Sequence, residues 1–168
     1  MTELVALSTK SIQLNRNEFL KMEGSVDTNL YFIERGTLKL FVMDNSEEQI
    51  IRFGYTHNLV AALDSFLTHQ PSKLLIQAIK KTDVRVIRKA QLDGFIQIEA
   101  NRALWAKLLE DLVVQQIERE IDILTSSPKA RYLRVLQRSP QLFQEIPLRY
   151  IANYLRMSAE TLSRLRKS

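Results

Sequence analysis

The sequence predicts an α+β protein with an antiparallel roll of β-strands, a long helix and a small helical domain at the carboxyl end. Two features of the 168-residue chain indicate this fold. From Ser11 to Arg88, short alternating apolar segments are separated by polar turns, which is typical of paired strands. After Lys89 the apolar residues recur with a period of about 3.6, which is typical of helices.

The strands of the predicted roll are bounded by turn residues. We expect glycines at strand junctions, Gly24 and Gly36, to adopt positive φ angles, and Asp44–Glu47 to form a polar turn. The predicted strands are Tyr31–Glu34, Thr37–Met43, Gln49–Phe53, Leu74–Ile79 and Asp83–Ile87. Together they favour an antiparallel sandwich or roll.

The helical period covers Ala90–Ile98 and then a longer segment, Asn101–Leu124. The longer segment carries two stripes at helical spacing, so one can pack on the roll and the other on a second copy of the helix. The second stripe consists of the apolar residues Leu104, Leu108, Ile117, Ile121 and Leu124. We expect the dimer interface to contain Trp105, Leu109, Leu112, Gln116 and Arg119. The alternative is a single wide core face, although polar residues within a stripe suit a paired helix better.

A polar stop, Thr125–Pro128, separates the two predicted domains. Residues 1–125 would hold the roll and the dimer helix, and residues 129–168 a helical domain with segments at Ala130–Arg138, Pro147–Leu155 and Ser158–Lys167. This second domain holds nine basic and two acidic side chains, whereas the rest holds 15 and 17. Such an excess is typical of a module that neutralises phosphates, or else of a solvated basic tail.

Composition argues against several other classes of protein. The absence of cysteine excludes disulfides, iron–sulfur clusters and thiolate zinc sites. His57 and His69 have no neighbours at metal-ligand spacing, and there is no glycine-rich phosphate loop. We therefore expect no enzyme, catalytic residue, metal or cofactor. Because no apolar run is long enough to span a bilayer and no signal peptide is evident, we expect a cytoplasmic protein without membrane contact.

The segment Ile146–Lys167 predicts a helix-turn-helix. Pro147 suits the first turn of one helix, and Ser158 suits the N-cap of a second, basic helix. Two helices of about nine residues joined by a tight turn are the expected geometry of this motif.

These residues carry a family resemblance. The segment IPLRYIANYLRMSAETLSRLRK resembles the DNA-reading part of the Crp/Fnr family of regulators, particularly of short Bacteroidetes members. The segments YFIERGTLKLFV, DSFLTHQPSKLLIQAI and KARYLRVLQRSPQLFQEIP match other parts of the pattern in order. The resemblance implies a roll like a cyclic-nucleotide-binding domain, a dimer helix and a winged helix-turn-helix. The sequence ends at Ser168, so we expect the wing to be absent or truncated.

The resemblance also implies DNA-contacting residues on the second helix of the motif. Glu160 can accept from a cytosine amino group and Arg164 can donate twice to guanine. Taken alone, Arg164 would more often be a solvated helix charge, but within this motif base contact is favoured. Arg156 stands where relatives usually have glycine, so we expect it in a left-handed conformation. The predicted DNA-binding residues are Arg149, Ser158, Ala159, Glu160, Thr161, Ser163, Arg164 and Lys167.

In nucleotide-binding relatives, a glutamate holds the ribose and an arginine holds the cyclic phosphate. The corresponding positions here are Ala62 and Ser72, so both polar anchors are missing. Lys73 could reach a phosphate, but its strand-like neighbours favour a solvent-facing side chain. We expect this degenerate pocket not to bind cAMP.

The sequence therefore predicts a homodimeric regulator that binds a pseudo-palindromic site on double-stranded DNA, with an unknown effector and RNA polymerase as a further partner to consider. The alternative is a small-molecule-binding or protein-interaction module with a vestigial DNA-binding domain. Arg156 and the missing wing favour that alternative.

Overall fold

The computed structural model describes residues 2–167 and divides them into two compact units between Ala103 and Leu104. The elements of the first unit are α1 (Thr2–Ala6), β1 (Lys10–Leu14), β2 (Phe19–Lys21), β3 (Asn29–Arg35), β4 (Thr37–Asp44), β5 (Glu47–Tyr55), β6 (Leu59–Val60), α2 (Leu63–Thr68), β7 (Leu75–Ala78), β8 (Thr82–Arg88) and α3 (Lys89–Phe95).

The strands form two antiparallel four-stranded sheets, in the orders β1-β8-β3-β6 and β2-β7-β4-β5. Alternate side chains of both sheets meet in one apolar core because neighbouring residues of a strand point to opposite faces. Ile33 and Val84 enter it from the first sheet, and Leu38 and Ile76 from the second. The predicted antiparallel roll is confirmed.

The turns of the roll follow from their residues. Asn45 and Ser46 both have positive φ between β4 and β5, as a two-residue hairpin turn of type I′ requires. The predicted positive φ is confirmed at Gly24, with φ 77°, and at Gly36, with φ 104°. A side chain at Gly36 would also lie 2.4 Å from Thr82 Oγ1, so this position excludes any larger residue.

The remaining helices are α4 (Glu99–Leu124), α5 (Pro128–Arg138), α6 (Pro140–Glu145), α7 (Leu148–Tyr154) and α8 (Ala159–Lys167). The predicted long helix is confirmed and begins two residues earlier than expected. The helix α6 was missed because its flanking prolines indicated a break, yet Pro140 lies in the first turn, where a missing N–H costs nothing.

The short helices pack around their own apolar core within the second unit, which is composed of the buried side chains Val135, Leu142, Ile151, Leu155 and Leu162. Short helices are marginal alone, so this burial is what stabilises α7 and α8. Among residues 2–167, no helix is both long and apolar enough to cross a membrane.

Candidate nucleic-acid interface

The turn between α7 and α8 is built around a left-handed residue. Arg156 has φ 53°, which confirms the conformation expected for it. Its N–H donates to Asn153 O and the N–H of Met157 donates to Ala152 O, both at 3.0 Å. A non-glycine residue in this region costs roughly 1 kcal/mol, which these bonds and the buried Leu155 offset.

Ser158 begins the second helix as its N-cap. Its Oγ accepts a hydrogen bond from the Thr161 N–H at 3.1 Å, so an otherwise unpaired donor of the first turn is satisfied. Glu160 lies in that first turn. Hydrogen bonds from its own backbone N–H and from the Ser158 side chain lower the pKa of its carboxyl group. The helix therefore begins with an ionised carboxylate.

The helix α8 has one buried side and one accessible side. Leu162 is fully buried against the core, while Thr161 and Ser163 are partly buried. The accessible side carries the exposed residues Ala159, Glu160, Arg164, Arg166 and Lys167. Because an α-helix has 3.6 residues per turn, Glu160, Arg164 and Lys167 lie along one line. Six of the eight predicted DNA-binding residues thus lie in this helix, and a seventh, Ser158, is its N-cap.

Arg164 makes no hydrogen bond or ion pair with any other residue that the structure describes. Its guanidinium is therefore available to an external acceptor. The eighth predicted residue, Arg149, is exposed in the first turn of α7 and lies over the ring of Tyr150, 4.5 Å from its centroid. It also donates to Tyr150 Oη at 2.8 Å, so this ring positions the guanidinium.

Three other arginines of the basic segment are held within the protein. Arg134 and Arg138 pair with acidic side chains of α4, and Arg131 donates to backbone carbonyls. The basic excess of residues 129–168 is therefore not wholly available to phosphates, contrary to the simplest interpretation of the charge count. Sequence reasoning missed these pairs, although acids four residues apart on α4 and arginines four residues apart on α5 were a detectable signal.

In the roll, the degenerate pocket predicted at Ala62, Ser72 and Lys73 is closed by hydrogen bonds within the chain. Ala62 and Ser72 are buried, and Lys73 is exposed. Ser72 Oγ accepts from the Leu74 N–H at 2.9 Å, so this hydroxyl supports its own loop. The backbone of Ser72 is also bonded, its N–H to Ser25 O at 3.1 Å and its carbonyl to the Gly24 N–H at 2.8 Å.

A buried lysine completes this closure. Lys21 is 5% exposed, and its Nζ donates to Met22 O at 2.8 Å and to Leu74 O at 3.0 Å. Burial lowers the pKa of this ammonium group, while the neighbouring carboxylates, Asp27 first, raise it. Lys21 thus joins the loop before β3 to the loop before β7.

The residues predicted for the dimer interface divide into accessible and buried ones. Trp105, Leu109 and Leu112 are partly buried and Gln116 is exposed. Arg119 is only 5% exposed, with its guanidinium over the ring of Tyr154 in the same chain. Arg119 must therefore be removed from the predicted interface, since a side chain already buried within its own chain is not accessible to a second copy.

Three of the six large apolar side chains exposed on α4 belong to the second predicted stripe of this helix. Ile117, Ile121 and Leu124 belong to it and are exposed, as is Val113 beside it. Since each residue turns a helix by about 100°, these side chains lie roughly 80° to 160° around the helix from the predicted interface, so most of them face away from it. No group of three or more His, Asp or Glu side chains within residues 2–167 could hold a metal ion.

Comparison with known proteins gives a family for the first unit. The model of the cyclic nucleotide-binding domain matches residues 11–99, just over half of the chain. No curated protein shows significant similarity to the sequence.

Solved structures with a similar fold include several Crp/Fnr-type regulators. FixK2 from Bradyrhizobium japonicum has a TM-score of 0.75 at 19% identity, over 94% of this chain and 82% of that one. The regulator CLP of Xanthomonas campestris has a TM-score of 0.72 at 14% identity, over 99% and 88%. The catabolite activator protein of Thermus thermophilus has a TM-score of 0.61 at 18% identity, over 99% and 80%. At such identities the likeness establishes the fold.

Proposed function

The chain belongs to the cyclic nucleotide-binding domain family, and we propose that it is a homodimeric, sequence-specific DNA-binding regulator of the Crp/Fnr type. The observation that carries the proposal is the accessible side of α8, where Arg164 and Lys167 lie beside Glu160 on a capped helix. This helix, with its mixed polar side and buried apolar side, has the properties of a recognition helix.

In this proposal, α7 and α8 are the two helices of a helix-turn-helix. The left-handed turn at Arg156 and the buried Ile151, Leu155 and Leu162 support it, because they hold the helices together while α8 keeps one side free. Residues 129–168 then form the DNA-binding domain, and residues 1–125 the roll with its dimer helix.

Sequence would be read by two side chains of α8. Arg164 has the reach and the free donors for a bidentate contact with guanine O6 and N7. Glu160, ionised at neutral pH, can accept from a cytosine amino group. Further contacts are expected from Ala159, Thr161 and Ser163 on the same helix.

Other residues would hold the phosphate backbone without reading sequence. Arg149, positioned by Tyr150, and the N-cap residue Ser158 lie at helix N-termini, where anions are favoured. Lys167 and Arg166 are exposed basic side chains in the last turn of α8. These contacts predict a strong dependence of affinity on salt.

The proposed dimer is formed through α4. Its exposed apolar surface around Val113, Ile117 and Leu124 would be covered by the same surface of a second copy, as two-fold symmetry requires. Of the residues predicted for the interface, the partly buried Leu109 lies nearest to this surface, one turn before Val113. Two recognition helices could then enter successive major grooves, about 34 Å apart.

The roll is proposed not to bind cyclic mononucleotides. The hydroxyl and the backbone N–H of Ser72 are bonded within the chain, and Ala62 has no polar group to offer a ribose. A cyclic phosphate buried without a paired cation is costly. CLP is described as responsive to c-di-GMP, so the same fold can serve another ligand, or here a purely structural role.

Selection from a degenerate pool of DNA duplexes tests this function. We expect enrichment of one inverted repeat and a gel shift whose affinity falls with salt. Failure to enrich any sequence would overturn the proposal and favour a ligand-binding or protein-interaction module instead.

A further inference from the structure

Two carboxylates of α4 and two guanidiniums of α5 form a four-membered cluster. Glu118 and Asp122 lie one turn apart on α4, and Arg134 and Arg138 one turn apart on α5. Arg134 contacts Glu118 at 2.8 Å and Asp122 at 3.2 Å. Arg138 contacts Glu118 at 3.2 Å and makes a second, close ion pair with Asp122. Each charge therefore has two partners on the other helix.

Burial makes this cluster more than a surface ion pair. Exposed pairs contribute little because water and salt screen them. Asp122, however, has no exposed side-chain surface, so its charge depends on the two arginines for compensation. Displacing α5 from α4 would leave a buried carboxylate without its partners, and this restricts the relative position of the two helices.

Two further arginines extend the restraint to the proposed helix-turn-helix. Arg131 donates to Thr125 O, just after α4, at 2.6 Å and to Arg156 O, in the turn before α8, at 3.1 Å. Arg119 lies over Tyr154, the last residue of α7. Contacts from α4 and α5 to the helices that follow thus span the segment Thr125–Pro128, which was predicted to separate two domains.

We infer that Asp122 is a positioning residue, which holds α8 at a fixed angle to the dimer helix and so sets the spacing of DNA half-sites that the protein accepts. The inference rests on the proposed function. In a two-fold dimer, the geometry between the dimer helix and each recognition helix determines the distance between the two recognition helices. A dimer whose recognition helices are held at one distance should bind half-sites separated by one spacer length. A dimer in which that distance varies should bind several spacer lengths.

The test uses duplexes that carry the selected inverted repeat with spacers changed by one or two base pairs, and a duplex with a single half-site. The variants are Asp122→Asn and, because Asp122 is buried, the milder Glu118→Gln. Asp111→Asn is the matched control, since Asp111 pairs with Lys107 on the same helix, at 2.9 Å, and makes no hydrogen bond or ion pair with the described residues of α5 to α8.

We expect the unaltered protein and Asp111→Asn to prefer one spacer. In Asp122→Asn this preference should fall about tenfold, or about 1.4 kcal/mol, while affinity for the single half-site stays unchanged. Glu118→Gln should shift the preference in the same direction. A merely stabilising role would not alter spacer preference in a protein that remains folded by circular dichroism.

A folded Asp122→Asn protein with the original spacer preference would overturn the inference and leave the proposed function standing. If that variant does not fold, the same result with Glu118→Gln overturns it. If the unaltered protein binds no duplex, the proposed function itself fails and this inference fails with it.

Discussion

The guanidinium of Arg119 lies over the ring of Tyr154, with 3.6 Å between its Cζ and the ring centroid. Arg119 belongs to α4 and Tyr154 ends α7, so this contact joins the long helix to the first helix of the proposed DNA-binding motif. Burial lowers the pKa of the guanidinium, while the interaction with Tyr154 raises it. A desolvated cation of this kind benefits most from an aromatic face.

Replacing Tyr154 by leucine should therefore destabilise the second unit. Tyr154→Leu keeps most of the apolar volume but removes the aromatic face, so the free energy of unfolding should fall by about 2 kcal/mol. Urea denaturation measures this. The control is Tyr150→Leu, which removes the exposed stack with Arg149 and should cost about 0.5 kcal/mol. Equal losses in the two variants would show that the buried stack contributes no more than the exposed one.

Arg164→Ala should reduce sequence-specific affinity by roughly 1 to 3 kcal/mol and relax the preference at one base pair per half-site. The reason is the loss of two donors to one guanine. Competition gel shifts with single-base variants of the selected site measure it. If binding to every sequence weakens equally, Arg164 contacts only phosphate and does not read a base.

Arg166→Ala is the companion substitution, on the same helix and also exposed. If Arg166 contacts a phosphate, its removal should weaken binding to all sequences alike. It should also reduce the magnitude of the slope of log affinity against log salt by about one. An unchanged slope would show that Arg166 does not contact the backbone of DNA.

Ile117→Asp should convert the dimer to a monomer and abolish binding to the full inverted repeat. Ile117 is 50% exposed on α4, and a buried, unpaired carboxylate at a two-fold interface would occur twice. Sedimentation measures the association state. Leu133→Asp is a matched control, because Leu133 is equally exposed but lies on α5. An unaltered protein that is monomeric at micromolar concentration would contradict the symmetric arrangement.

Calorimetry with cAMP and cGMP at about 100 µM should detect no binding, and neither nucleotide should change DNA affinity. The arginine and glutamate positions are Ser72 and Ala62, and the loop around Ser72 already bonds to Gly24 and Ser25. A dissociation constant of a few micromolar that Lys73→Ala abolishes would identify Lys73 as a substitute cation.

The stability of the roll should fall at alkaline pH through Tyr31. Burial and the neighbouring Asp27 raise the pKa of its phenol above the ordinary value of 10.0. Above pH 10 the unfolded chain releases this proton while the folded roll retains it, so stability is lost as pH rises, by up to about 1.4 kcal/mol per pH unit.

Comparison with Tyr31→Phe isolates this effect from the titration of other groups. Between pH 10 and pH 11, the unfolding free energy of the unaltered protein, measured in urea, should fall relative to that of Tyr31→Phe. A difference that stays constant over this interval would mean that Tyr31 ionises as readily in the folded roll as in the unfolded chain.

Local patterns in the sequence were enough to predict most of the fold. Alternation at Thr37–Met43 predicted β4, and the helical period to Leu124 predicted α4, because both periods are properties of the backbone itself. Short elements such as α2 and α6 were missed, since six residues carry too little periodicity and are stabilised by tertiary packing.

The sequence by itself also determined the residues of α8, because a cap at Ser158, a buried Leu162 and an exposed Arg164 follow from helical spacing alone. Only the tertiary structure decided which charges are available. Arg119 and Arg138 are as basic in the sequence as Arg164, but Tyr154 and Asp122 hold them within the chain. The pairing of a charge depends on which helices meet in space, and no local period records that.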